Sequence, residues 1–359
     1  MTPSDKARVQ ECVKELSKIL YCNTAPDKCQ TLEDIEKTVR EHLLESVGPE
    51  MAFFFIEQKT KTNIGKERII KSSVGKLRLR RRQLEKLGVE ARTRISPLLQ
   101  KCSLCLSANE SFSQAEQDLF LLTGMKVGHS TLQRQVYTET KKEHLDFPGS
   151  PIAINEVCLD GGKVRLRTPT LGEKCEWRDY QAARLSGVYY GATFRRKEEL
   201  TAWIDSQVLT NPLICLGDGH SGVWNLFSRI AATQQRYEIL DWFHLKENLF
   251  RVGGSLKRLR QVETFLWKGK VGQAIALFEE ECPRRARKFL AYIEKHRRRL
   301  VNYELLQTEY HISIGSGAVE SAIKQLDRRL KISGSQWNPD SVSSMLRLRC
   351  AYLNGQITA

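Results

Sequence analysis

The sequence has no apolar run near the roughly 20 residues that a membrane-spanning helix needs. Its opening, MTPSDKARVQECVKELSKIL, is charged rather than signal-like. The expectation is a protein that stays in the cytoplasm. The 10 cysteines show no framework spacing, and several sit inside apolar stretches such as EVCLD and LICLGD. That pattern suits reduced core thiols in a cytosolic protein rather than a disulfide scaffold. Cys102 and Cys105 form one CxxC, but no further ligand pair lies near enough to complete a zinc site. They read as a structural pair on a helix. Acidic residues are scarce in two places. The whole chain carries 57 Lys and Arg against 42 Asp and Glu, a net +15. From Lys59 to Arg94, 13 basic residues meet 3 acidic ones; from Arg251 to Arg299, 14 meet 5. Solvated faces usually mix signs, so these stretches point to phosphates and a nucleic-acid partner.

With 359 residues, 41% of them hydrophobic, the chain has room for two or three domains with proper cores. Residues 1–56 show helical apolar spacing, with Gly48 and Pro49 ending the second helix. Residues 57–147 form a basic region. KERIIKSSVGKLRLRRRQL alternates around a Ser-Ser-Val-Gly turn, which predicts a hairpin, with a basic helix as the competing reading. Its arm presents Arg78, Arg80, Arg81 and Arg82 to a phosphate backbone. From Ser111 to Lys142 the pattern is helix, glycine turn, helix. Ala115, Leu119 and Leu122 line one face, Gly124 breaks the helix, and Ser130 caps the next. This is the helix-turn-helix arrangement of DNA readers, with Gln133 and Arg134 exposed on the second helix. DFPGSP then reads as a linker.

Beyond it, over 148–246, the texture is α/β. AINEVCLDGGKVRLRT predicts a buried strand to Asp160, a Gly-Gly turn and a returning strand, and PLICLGDGHSG predicts a strand delivering Asp218. RYEILDWFHLKENLF is a strand running into a helix, with Asp241 and His244 at the junction. Residues 247–310 are helical and basic, including Arg284, Arg285, Arg297 and Arg298; 311–359 hold the Glu320 helix and a last helix. Trp177 and Trp224 read as core aromatics. Asp160, Asp218 and Glu320 would repel one another unless a cation balanced them, and two metals about 3.5–4 Å apart stabilise attacking and leaving oxygens in phosphoryl transfer. Each acid singly is an ordinary turn or helix-start residue. Together, in strand, strand, helix order, they suggest catalysis.

At these residues the chain resembles the DDE transposases of bacterial insertion sequences, in particular the ISKra-type group related to Mutator-like transposases. The matching blocks are CLDGGKVRLR, CLGDGHSGVWNLF, YEILDWFHLKENL with its Asp-x-x-His, and GSGAVESAIKQLDRRLKISGSQW with Trp337. The resemblance covers about residues 150–355 and implies a ribonuclease H-like catalytic domain, interrupted by an all-α insertion and preceded by a mainly helical DNA-binding region. It implies that Asp160, Asp218 and Glu320 bind two Mg²⁺ ions, with Mn²⁺ able to substitute. Asp241 and His244 either support the site or simply fix the exit of the insertion. His220 departs from the family, where a small residue is usual, and zinc-ribbon cysteines are absent or reduced to Cys102 and Cys105. The implied partners are double-stranded DNA, as element ends and target, and a second copy of the chain on DNA; the implied location is the nucleoid. A former transposase acting only as a DNA-binding regulator, and a structure-specific nuclease of the same fold, are the rival expectations.

Overall fold

The computed structural model describes every residue except Ala91, Pro169, Leu171, 280–283 and 358–359, and the side chains of Glu279, Arg284 and Arg285. The proposed phosphate contacts at Arg284 and Arg285 therefore lie outside the described residues. The chain forms two compact units, one of Met1–Ser107 with Phe112–Gln133, the other of Ala108–Ser111 with Arg134–Thr358.

The first unit opens with helices α1 (Pro3–Cys22), α2 (Leu32–His42) and α3 (Gly48–Thr60). Thr2 with Asp5, and Thr31 with Asp34, close reciprocal capping boxes at the first two starts. Gly48 and Pro49 do not end a helix, contrary to expectation; after one π turn (Leu43–Val47) they open α3. Proline costs no hydrogen bond in a first helical turn. Glycine is needed there because a Cβ would stand 2.4 Å from the Val74 carbonyl oxygen. That carbonyl belongs to the turn of a hairpin, β1 (Glu67–Ser72) and β2 (Gly75–Arg80). Alternation decides hairpin over helix: Ile70, Leu77 and Leu79 are buried on one face, while Lys76 and Arg78 stay exposed on the other. Arg81 and Arg82 fall past the strand, on α4 (Arg81–Lys86), and Arg81 pairs with Glu85 at 2.8 Å. Arg80 reaches the Gly65 carbonyl at 3.3 Å.

α5 (Pro97–Asn109) carries the half-buried Cys102 and Cys105. α6 (Phe112–Thr123), Gly124 in the left-handed region at φ +69°, and α7 (His129–Glu139) give the expected helical pair. Two details differ from expectation. Ala115 and Leu119 are fully buried, but Leu122 is 66% exposed, because the apolar contact passes instead to Met125 in the turn. Ser130 lies inside α7 rather than capping it; the Glu116 carboxylate accepts the His129 N–H at 2.7 Å. Gln133 and Arg134 are exposed.

In the second unit a five-stranded sheet runs in the order β5 (Tyr189–Thr193), β4 (Glu176–Leu185), β3 (Ile154–Leu166), β6 (Leu209–Gly217), β7 (Arg236–Leu240). The first three are antiparallel, and β6 and β7 run parallel to β3. β3 corrects the sequence reading: Asp160 does not end it, and Gly161 and Gly162 make no turn but continue the strand. Bare backbone is needed because the Tyr180 ring lies over Gly162, where a Cβ would stand 2.2 Å from Cζ. Trp177, on β4, is 52% exposed rather than in the core, whereas Trp224 is buried as expected. Helices α8 (Lys197–Asp205), α9 (Ser221–Phe227) and α10 (Trp242–Phe250) follow strands of the sheet. Val157, Leu159, Leu216, Phe227, Ile239 and Leu245 pack into one core with them. The described part of the basic stretch holds the helices α11 (Leu256–Trp267), α12 (Val271–Glu279), α13 (Arg284–Lys295) and α14 (Tyr303–Thr308). α15 (Gly317–Leu330) and α16 (Pro339–Leu353) finish the chain, and Tyr180 Oη donates to Asp327 of α15 at 2.8 Å. Among the described residues, no helix is long and apolar enough to cross a membrane.

Candidate active site

The strand register sets the acids. Leu159 lies level with Gly217, and Gly217 with Leu240, on three neighbouring parallel strands. The next residue of each is an aspartate, so Asp160, Asp218 and Asp241 form a row across strands about 4.8 Å apart. Glu320, in the first turn of α15, joins them through His244, whose Nδ1 is 3.8 Å from Glu320 Oε1 and 3.4 Å from Asp241 Oδ1.

The row is not uniform. Asp160 Oδ1 accepts the Gly161 N–H at 2.7 Å, and Asp218 Oδ1 accepts the His220 N–H at 2.8 Å. Burial raises the Asp160 pKa to about 6; the Gly161 bond opposes this, the Asp218 charge adds to it, the His244 cation opposes it, and Glu320 adds again. Burial disfavours the charged carboxylate most, and the neighbouring acids add to it. Asp241 is fully buried and its lone pairs are used. Oδ1 accepts the His244 N–H at 2.7 Å, and Oδ2 accepts both the Ser316 N–H and the Ser316 hydroxyl. Burial pushes its pKa up, but these donors outweigh burial and hold it below the usual carboxylate range. His244 is pushed up to about 9, chiefly by Asp241, against the opposing effect of burial and with help from Asp218 and Glu320. It therefore stays a cation beside Glu320 at neutral pH.

Among the described residues, Asp241, His244 and Glu320 bring ligand atoms within 4.8 Å of one another. A protonated imidazole and a carboxylate saturated by four contacts are poor ligands, however. Among the described residues, Asp160 and Asp218 each take one backbone donor and Glu320 none, so all three keep free oxygen lone pairs, and hard oxygen donors suit Mg²⁺ or Mn²⁺.

Asp241 and His244 thus sit at the site, and Asp241 also pins the start of the Glu320 helix. The segment is zipped on: Trp242 N–H donates to the Ile314 carbonyl at 2.9 Å, and a Cβ on Gly315 would stand 2.5 Å from the Phe243 ring. Gly315 is bare for that reason, whereas Gly317 has open space where a Cβ would stand. His220 gives its backbone N–H to Asp218, and its Nδ1 accepts the Gly222 N–H at 3.2 Å and caps α9.

The sequence reading gives Ser316 no role, although a serine between two glycines just ahead of a basic helix with one early acid is its signal. Nor does it single out Tyr292 and Lys295 of α13, or His296 just past its end. The Tyr292 ring lies over Gly219, where a Cβ would stand 2.2 Å from it, and Lys295 Nζ donates to Ser221 Oγ at 2.9 Å. His296 is fully buried, and burial lowers its pKa to about 4. Tyr292 and His296 are four apart, hence on one helical face. The insertion therefore packs onto the loop that carries Asp218. Arg297 pairs with Glu294 at 3.1 Å and Arg298 is exposed.

No family model matches the chain. The chain is similar to a "UPF0236 protein in vanSb 3'region" of Streptococcus gallolyticus, 26% identical over 302 residues, covering 75% of this chain and 66% of that protein. The chain thus spans just under two thirds of that relative's length.

Proposed function

We propose that the chain is a DNA transposase, which binds the ends of its own element, cuts phosphodiester bonds and joins the freed 3′-hydroxyl to target DNA. The observation that carries this reading is the convergence of Asp160 and Asp218, level on neighbouring parallel strands, with Glu320 of α15, in a chain of net +15. The sheet supports a ribonuclease H-like reading: three antiparallel strands followed by two parallel to the first. The basic hairpin and helical pair fit end binding, and pairing two ends calls for at least two copies.

Asp160, Asp218 and Glu320 are the residues that would hold divalent metal, Mg²⁺ or Mn²⁺. When bound, such ions activate the attacking water or 3′-hydroxyl and neutralise the leaving oxyanion. The remaining work belongs to the chain. Asp241 holds the start of α15, which sets where Glu320 points. His244 keeps a positive charge among four acids. Tyr292 and Lys295 steady the Asp218 loop, since misplacement by about 1 Å can cost two orders of magnitude in rate.

The test is an incubation of the full chain with Mg²⁺ and DNA carrying the sequences that flank its gene. Nicking at the ends followed by strand joining supports the reading. Cutting without joining indicates the nuclease, and binding without cutting indicates the regulator.

A further inference from the structure

Beyond Leu159 the sheet loses β6 on one side, and beyond Gln181 it loses β5 on the other. The distal halves of β3 and β4 therefore continue as a two-stranded ribbon, with the Trp337 backbone bonded to Arg165 and Arg167 along the outer edge of β3. Register assigns its faces. Gly162, Val164 and Leu166 share one face with Tyr180, and these are buried. Lys163 lies opposite Asp179 and Arg165 opposite Trp177 on the other face, with Arg167 at the next alternate position. That face is open: Lys163, Arg167, Trp177 and Asp179 are exposed, and Arg165 is half-buried. Trp203, Trp224, Trp242 and Trp337 are all 7% exposed or less, against 52% for Trp177. The acid-basic balance on this face is one against three, and no ion pair among the described residues engages Lys163, Arg165 or Arg167; on the covered face Arg178 is paired with Glu176.

We infer that this open face binds an unpaired nucleic-acid strand, a base stacking on Trp177 and phosphates meeting Lys163, Arg165 and Arg167. A flat aromatic among cations is the usual platform for single strands, since every base has a face to stack and every nucleotide a phosphate. Duplex DNA hides its bases and offers nothing to Trp177. Asp160 belongs to the same strand but points to the covered face, and Lys163 lies about 10 Å along from it. The platform therefore holds a strand leading from the cut, not the cut phosphate. This setting rests on the proposed cleavage reaction, which is what frees a strand there.

Fluorescence anisotropy on the full chain, in EDTA so that nothing is cut, measures affinity for a labelled oligothymidylate and for a duplex of equal length. Trp177→Ala should weaken the single strand tenfold or more and the duplex less than threefold, with Trp177→Phe recovering most of the loss. Arg165→Ala should lose less and flatten the salt dependence by about one unit. Circular dichroism on each variant checks that the fold is kept. Unchanged single-strand affinity in Trp177→Ala, equal losses on both DNAs, or no single-strand binding by the native chain overturns the inference. Cleavage in Mg²⁺ is scored separately. A chain that cuts DNA but binds single strands without Trp177 loses only this inference; Trp177-dependent binding in a chain that never cuts removes only the transposase reading.

Discussion

The ends of β6 and β7 lie side by side, each delivers an aspartate at the same level, and the two carboxylates meet opposite surroundings. Asp218 takes one backbone N–H, from His220, and is only partly covered. Asp241 has no exposed surface and takes donors from His244 and Ser316 on both oxygens. A buried charge is tolerated only when hydrogen-bonded, so Asp241 is held by its neighbours and in turn holds them. Asp218 keeps lone pairs for something from outside. Position in a strand does not decide whether an acid binds a ligand; the count of donors already on it does.

Replacing the two in turn should separate them most sharply. Asp218→Ala is expected to lower metal-dependent cleavage on the order of a thousandfold or more, since metal contributes several kcal/mol to the barrier. Its unfolding free energy should stay within about 0.5 kcal/mol of native; a single-turnover cleavage rate and a urea titration read both. Asp241→Ala should do the reverse in stability, costing about 3 kcal/mol because buried donors lose a charged acceptor. Cleavage should fall as well, because Glu320 loses its anchor. A native urea midpoint for that variant would remove the scaffold role.

Ser316→Ala sharpens the contrast at smaller scale. It deletes the hydroxyl but keeps the backbone N–H, so about 1–2 kcal/mol is expected by the same urea titration. The smallest effect concerns His296, just past α13, and is silent at neutral pH. His296 has a folded pKa near 4 against an ordinary 6.5. Below 6.5 the unfolded chain takes up the proton before the folded one does, so stability is complete above that pH and falls toward 4. The folding constant should drop by up to about tenfold per pH unit across that window. Urea titrations at pH 7, 6 and 5 should show this decline reduced in His296→Gln; equal slopes in both proteins would mean the histidine is not shielded.

Much of the architecture was legible along the chain. The helical spacing of the first residues, the alternation at residues 66–80 and the apolar runs ahead of Asp218 and Asp241 are local signals, and the elements formed where they stand. The misreadings share one cause. Gly161 and Gly162 look like a turn, Gly48 and Pro49 like a stop, and Trp177 like core, because each residue type was weighed by its commonest local use. Tyr180 above Gly162, the Val74 carbonyl beside Gly48 and the end of β5 short of Trp177 are distant in sequence.

By itself, then, the sequence determined which stretches are helical and which are strand-like over most of the chain, that acids follow apolar stretches, and that basic residues cluster twice, since these depend on neighbours a few positions apart. Only the tertiary structure decided that Asp160, Asp218 and Asp241 stand in one row, that Ser316 saturates the last of them, and that α13 covers Gly219. Those outcomes depend on the pairing register of β3, β6 and β7 and on the return of a helix after a long insertion. A register shift of one residue would turn every side chain of a strand to the other face, and no local pattern in the chain specifies it.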